Sequence, residues 1–204
     1  MALSKETWRM LYAKLDAVGP VPYDCGTLCG KACCGVSEEN WNVAEDAMGI
    51  YLNPGEDLLL QEDADWLTWN RETVEPEDLA QNGGGFPDSY LGKQLWFVRC
   101  KDPLRCHRET RPLQCRTFPV LPHLTAPGTD REHLILIWND IELPYECPII
   151  EEEMEPDPDW LRAVHEVWKI LMEDPDILEM LRFDSEDRIL DIGPPPALWP
   201  KHTT

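Results

Sequence analysis

The sequence predicts a fold of the α+β class: a small single domain with a short antiparallel sheet, peripheral helices and much irregular structure. Two short apolar runs, near residues 95–99 and at residues 133–138, indicate strands that we expect to pair in one small sheet. Predicted helices flank these runs in the chain instead of alternating with them, which is typical of α+β proteins. The 204 residues include 19 prolines and 12 glycines, so long irregular stretches are expected.

Four helices are predicted from capping residues that precede apolar side chains at helical spacing. They cover residues 4–18, residues 37–48, a segment that begins at Asp157, and residues 175–183. The polar stretch at residues 71–94, with three consecutive glycines, is predicted to be a long surface loop. We expect residues 1–192 to form one domain and residues 193–204 to form an extended, proline-rich tail.

Charge and hydropathy restrict the classes of partner. The formal net charge of -21 repels a phosphate backbone, so we expect no nucleic-acid partner. The apolar runs are too short to span a bilayer, and we expect no membrane partner. The first residues lack the basic-then-apolar pattern of a secretion signal. We therefore expect a cytoplasmic protein whose thiols stay reduced.

The densest chemical feature of the chain is its eight cysteines. The first group is Cys25, Cys29, Cys33 and Cys34, and the others are Cys100, Cys106, Cys115 and Cys147. Thiols packed in this way cross-link, react or bind a soft metal. In the cytoplasm, metal binding or redox chemistry is favoured over a disulfide framework. All eight cysteines are therefore candidate metal ligands.

We predict one metal centre built jointly from both cysteine groups, because neither group alone supplies four well-spaced thiolates. Cys33 and Cys34 are adjacent and their side chains point apart, so one faces the metal while the other faces a second site or is a free thiol. The leading ligands are Cys25, Cys29, Cys33 and Cys115. The first three are expected in a loop whose glycines turn N–H groups toward sulfur. Such a centre would staple the fold and hold an iron–sulfur cluster, in preference to zinc.

A basic segment surrounds the second cysteine group. Residues 99–116 contain six Lys/Arg and two Asp/Glu. Cations near cysteines lower the thiol pKa and offset the charge of a thiolate–metal complex, so we expect Arg111 and Arg116 to turn toward the cofactor. The alternatives are an anion pocket, a solvated basic loop, and ion pairs with the many carboxylates of this chain. His107 and His123 are further candidate ligands.

Two segments carry a family resemblance: residues 25–34, which end in Cys-Cys, and residues 111–119, Arg-Pro-Leu-Gln-Cys-Arg-Thr-Phe-Pro. They resemble the cysteine-cluster family known as YkgJ-like or CxxCxxCC proteins, described as a zinc- or iron-chelating domain. The family-like core covers about residues 22–148, and the helices at about 157–184 form an extension outside it. The cysteine spacing here, Cys-x3-Cys-x3-Cys-Cys, is longer than the family's name implies.

Three functions are compatible with these residues. The first is a cytoplasmic module that binds an iron–sulfur cluster or zinc. The second is an enzyme in which that centre performs redox or protein-modifying chemistry beside Arg111 and Arg116. The family includes proteins labelled iron–sulfur oxidoreductases, and flagellin lysine N-methylases resemble it, but neither activity follows from the motifs of this chain, which has no adenosylmethionine fingerprint. The third is a thiol redox sensor that uses Cys33 and Cys34. The expected partners are the metal centre and a protein or an anionic small molecule.

Overall fold

A computed structural model describes residues 3–30, 33, 49–63, 65–101, 110–139 and 145–201, apart from the side chains of Glu62 and Asp63. The helices in these ranges are α1 (Lys5–Asp16), α2 (Gly26–Cys29), α3 (Asp57–Asp63), α4 (Leu113–Thr117), α5 (Pro148–Glu151), α6 (Pro158–Leu171) and α7 (Pro175–Ile192). The strands are β1 (Ile50–Tyr51), β2 (Leu67–Thr73), β3 (Gln94–Cys100), β4 (Val120–Thr125) and β5 (His133–Trp138). This mixture of helices and short antiparallel strands confirms the predicted α+β class. The helix predicted at residues 37–48 lies outside the described ranges.

The two predicted strands do not share a sheet, so that prediction is wrong. Strand β3 lies between β1 and β2 in a three-stranded antiparallel sheet, whereas β5 pairs with β4 in a separate antiparallel pair. Strand β5 pairs with the strand just before it in the chain, across residues 126–132, which requires only a short loop to close. Strand β3 instead pairs with β2 across residues 74–93, and with β1 across an even longer separation. Strand β4 was hidden in the sequence by Pro122, because a proline argues against a central strand.

The position of Pro122 explains why β4 tolerates it. Pro122 lies opposite Leu136 in the β4–β5 register. The backbone N–H and C=O of Leu136 point to the other side, where they bond with Trp199 and Leu198. Pro122 therefore occupies a position of the pair that donates no hydrogen bond across the ladder. The predicted proline-rich tail is thus anchored to the free edge of β5 by its residues 198–199.

The long helices begin where their caps predict. The hydroxyl of Ser4 accepts a 3.1 Å hydrogen bond from the backbone N–H of Thr7 at the start of α1. The carboxylates of Asp157 and Asp174 accept bonds of 2.7 Å and 2.9 Å from backbone N–H groups in the first turns of α6 and α7. Helix α7 continues to Ile192, nine residues past its predicted end, and stops at a glycine. Its last turns lack an apolar face, so periodicity did not reveal them.

One hydrophobic core joins the two ends of the chain. Buried side chains of α1, of the three-stranded sheet, of β5 and of α6 contact one another in it, among them Trp8, Val98, Leu136 and Val164. The C-terminal helices are therefore integral to the fold, because α6 packs against both α1 and β5. Within the described ranges, every helix is too short or too polar to cross a membrane.

The segment predicted as a surface loop at residues 71–94 is more ordered than expected. It begins in β2, continues through short 3-10 turns, and encloses a small apolar cluster of Val74, Leu79 and Tyr90. Gly83 has a φ of +85°, and the N–H of Gly84 bonds the carbonyl of Leu79 at 2.9 Å. The glycines therefore form a tight turn instead of a flexible excursion.

Candidate functional site

The first cysteine group folds differently from the predicted loop. Residues 26–29 form the single helical turn α2, with Cys25 at its N-cap position. The carboxylate of Asp24 accepts a 2.8 Å bond from the N–H of Gly26, and Gly30, at a φ of +62°, ends the turn. Glycines at both ends therefore allow a tight turn instead of breaking it. Because Cys25 and Cys29 are four residues apart, they lie on one side of this turn.

Cys147 lies next to the first cysteine group, a position that its place in the sequence did not indicate. Its side chain is buried with Val21 and Ile149, and Cys25 packs against the same apolar cluster. Cys147 is the N-cap residue of α5, which brings it to this position from more than a hundred residues away in the chain. Thiols from two distant segments therefore share one apolar environment.

The electrostatic surroundings of Cys25 involve three other side chains, from three segments of the chain. Burial raises the pKa of the Cys25 thiol, and the neighbouring thiols of Cys29 and Cys147 raise it further. The guanidinium of Arg111 and the N–H of Gly26 act in the opposite direction and lower it. Arg111 is thus close enough to interact with a thiolate at Cys25, as a charge-compensating cation would.

Arg116 has a different environment from Arg111. Its guanidinium is buried, pairs with the carboxylate of Asp16, and lies 3.9 Å from the centre of the Tyr12 ring. Its Nε also donates a 2.7 Å bond to the backbone carbonyl of Arg111. The structure therefore shows Arg116 paired with a carboxylate, which was one of the alternatives considered for both arginines.

The remaining candidate ligands are dispersed. Cys115 lies half-buried in α4 near Tyr12, and Cys100 ends β3 and packs against the main core. Cys33 is half-buried. His123 is buried in β4, where its Nδ1 lies 3.4 Å from a guanidinium nitrogen of Arg188 in α7. The candidates that fall outside the described residues are Cys34, Cys106 and His107.

The described side chains alone do not assemble a finished metal site. Among them, no three His, Cys, Asp or Glu residues are close enough together to hold a metal ion. The structure therefore does not bring Cys25, Cys29, Cys33 and Cys115 together as a ready ligand set. The structure does place Cys29, Cys147 and Arg111 near enough to Cys25 to influence its thiol electrostatically.

The buried carboxylate of Glu56, which lies beneath residues 111–119, was not predicted from the sequence. Glu56 is 1% exposed, and its Oε1 accepts 2.6 Å bonds from the Tyr12 hydroxyl and from the backbone N–H of Leu113. Its Oε2 accepts bonds of 3.0 Å and 3.1 Å from the backbone and side-chain amides of Asn53. Glu56 lies in an Asn-Pro-Gly-Glu turn, and such a turn predicts a surface position unless its partners are known.

No family model, no curated protein and no solved structure matches this chain.

Proposed function

We propose that this chain is a cysteine-cluster protein that binds a soft metal centre, an iron–sulfur cluster in preference to zinc, in the cytoplasm. The observation that supports it is the environment of Cys25, where Cys29 of the same turn is joined by the Cys147 thiol and the Arg111 guanidinium from distant segments. The resemblance of residues 25–34 and 111–119 to YkgJ-like proteins implies the same chemistry.

The donor set fits a soft metal in its chemistry. Thiolates are the ligands that iron–sulfur clusters and zinc prefer, and a cluster of thiolates carries net negative charge. Arg111 offsets part of that charge inside a partly buried site. When bound, an iron–sulfur cluster would supply an electron-transfer centre, whereas zinc would supply a structural cross-link.

Cys25, Cys29 and Cys147 would be the first ligands, and binding would have to draw their thiols closer together than they lie in this structure. The fourth would come from the other cysteines: Cys33, Cys34, Cys100, Cys106 or Cys115. A thiol whose pKa is raised by burial is protonated at neutral pH and reacts slowly. A metal displaces that proton on binding, so metal occupancy should fall at low pH.

Anaerobic purification followed by metal and acid-labile sulfide analysis is the decisive experiment. Iron with sulfide and a visible chromophore identifies a cluster, whereas zinc without colour identifies a zinc site. Cys25→Ser and Cys147→Ser should each lower metal content strongly. Ile149→Val is the matched control, because it loosens the same apolar cluster without removing a thiol and should keep its metal.

Two results would refute the proposal: wild-type protein without bound metal, or full metal content in both serine variants. Serine substitutions of the five remaining cysteines, made one at a time, then identify the fourth ligand. The enzyme alternative requires a substrate, and the cation at Arg111 would favour an anionic one.

A further inference from the structure

The motif at residues 111–116 is held from two sides by buried hydrogen bonds. On one side, the Nε of Arg116 donates a 2.7 Å bond to the carbonyl oxygen of Arg111, and its Nη1 pairs with Asp16 of α1. On the other side, the N–H of Leu113 donates a 2.6 Å bond to the buried carboxylate of Glu56. The backbone on both sides of Pro112 is therefore anchored to elements distant in the chain.

These two anchors are joined to each other. The Tyr12 hydroxyl donates a 2.6 Å bond to Glu56, and the Tyr12 ring lies beneath the guanidinium of Arg116, 3.9 Å from its Cζ. A planar guanidinium suits this geometry, because one face can cover a ring while its edge donates to a carboxylate and a carbonyl. A lysine would keep the charge and lose this set of directed bonds.

We infer that Asp16, Arg116 and Glu56 are positioning residues, which hold the backbone at residues 111–113 so that the Arg111 guanidinium stays beside Cys25. The two arginines of the motif then have separate tasks. Arg116 is committed to the buried anchor, and Arg111 supplies the cation on the side of Cys25. Packing brings the motif to the cysteines, because Phe118, which follows α4, contacts the same apolar cluster of Val21, Cys147 and Ile149 that Cys25 contacts. The inference rests on the proposed function only for the role of the Arg111 charge beside a metal, because the hydrogen bonds of the anchor do not require a metal.

A rate ratio measures the cation directly and at one pH. In the reduced full-length chain, with bound metal removed by a chelator, Cys25 is alkylated by iodoacetate, an anion, and by iodoacetamide, which is neutral. The thiolate displaces iodide in both reactions, so the thiolate fraction cancels in the ratio of the two rates, and the effect of burial on the anionic reagent is common to the variants compared. Fragment-resolved mass spectrometry separates Cys25 from Cys29. A nearby positive charge favours the anion on the order of fivefold.

Arg111→Gln should lower this ratio to that of a free thiol such as glutathione. Asp16→Asn and Arg116→Lys should lower it as well, although Arg111 is unchanged in both. Ser185→Ala is the control for stability, because it removes a buried hydroxyl that bonds Leu124 and Leu181, far from the motif in the chain. It should lower the stability and leave the ratio at the wild-type value.

The inference is overturned if the ratio stays at the wild-type value in Asp16→Asn and Arg116→Lys, or if Arg111→Gln does not lower it. Should the metal-free chain unfold, the same variants are compared as metal-loaded protein. The readout is then the ratio of metal-extraction rates by anionic bathophenanthroline disulfonate and neutral phenanthroline, with the same expected order. Absence of metal from the wild-type chain refutes the proposed function and leaves the alkylation test intact.

Discussion

The hydroxyl of Tyr12 donates a 2.6 Å hydrogen bond to the carboxylate of Glu56, and both side chains are buried. This contact joins α1 to the turn before α3 and places an acceptor beneath α4. Burial and the neighbouring carboxylate raise the pKa of Tyr12 well above its usual range, so the phenol remains a donor at neutral pH.

Removing the carboxylate of Glu56 should destabilise the fold severely. Glu56→Ala leaves four hydrogen bonds without an acceptor, and we expect the free energy of unfolding to fall by at least about 3 kcal/mol. Tyr12→Phe removes one of them and should cost about 1 kcal/mol. Urea denaturation followed by tryptophan fluorescence measures both. Glu152→Ala, at an exposed carboxylate, is the control. Equal losses in the Glu56 and Tyr12 variants would contradict this account.

The glycine turn offers a matched pair of substitutions. A methyl group at Gly84 would place its carbon 2.0 Å from the carbonyl carbon of Asp78, whereas the same group at Gly85 meets nothing within 4 Å. The clash is with backbone, so a rotamer change cannot relieve it. We expect Gly84→Ala to cost roughly 2–3 kcal/mol and Gly85→Ala less than about 0.5 kcal/mol, by thermal unfolding. Similar melting temperatures for the two variants would argue against the tight turn.

The proline-rich tail should contribute measurably to stability. The backbone of Leu136 makes three hydrogen bonds of 2.7–3.2 Å with Leu198 and Trp199, and both side chains pack against the main core. A chain shortened to residue 192 should lose about 2–4 kcal/mol. A chain shortened to residue 200 is the control, since the one described residue that it removes is Lys201, with its exposed ion pair to Glu155. The prediction fails if the two truncations unfold at the same denaturant concentration.

Acid should weaken the contact between the β4–β5 loop and α7. Two hydrogen bonds from Arg182 are the main cause that lowers the pKa of Glu132 in the folded chain. A lowered pKa stabilises the fold above the unfolded value, about 4.3, and that stabilisation is lost as the pH falls through the folded value. Because Arg182 is partly exposed, the pair should contribute on the order of 1 kcal/mol at neutral pH.

The variant Glu132→Gln isolates the contribution of the Glu132 charge to stability. At pH 7 the variant should be less stable than the wild type, and the difference should shrink as the pH falls through the lowered pKa of Glu132 and vanish below it, where both side chains are neutral. Denaturation curves at a series of pH values give the comparison. A difference that is constant with pH would mean that shape, and not charge, makes the contact.

Local chemistry explains which parts of this fold were predictable. The starts of α1, α6 and α7 follow from Ser4, Asp157 and Asp174, because a cap acts on N–H groups two or three residues away. Strand pairing was not predictable from the sequence. Strand β4 contains a proline and can pair with β5 because that proline lies opposite Leu136, whose backbone N–H and C=O bond the tail and not β4.

The candidate site was likewise predictable only in part. The sequence identified the cysteines and the basic segment by composition and spacing. It gave no means of placing Cys147 beside Cys25, because their neighbourhood depends on packing with Val21 and Ile149 from distant segments. Nor could it assign Arg116 to Asp16 and Arg111 to Cys25, since both arginines occur in the same basic run.

The packing of α1 also sets the order in which the protein acquires its structure on the ribosome. Arg116 follows its partner Asp16 by 100 residues, and α6, which packs against α1, emerges later still. At about 5–20 residues per second, Arg116 is synthesised roughly 5–20 s after Asp16. Until the core closes, Trp8 and Leu11 of α1 lack the partners that bury them in the folded chain. The main core closes only when the last quarter of the chain has been synthesised, because buried side chains of α6 and α7 complete it.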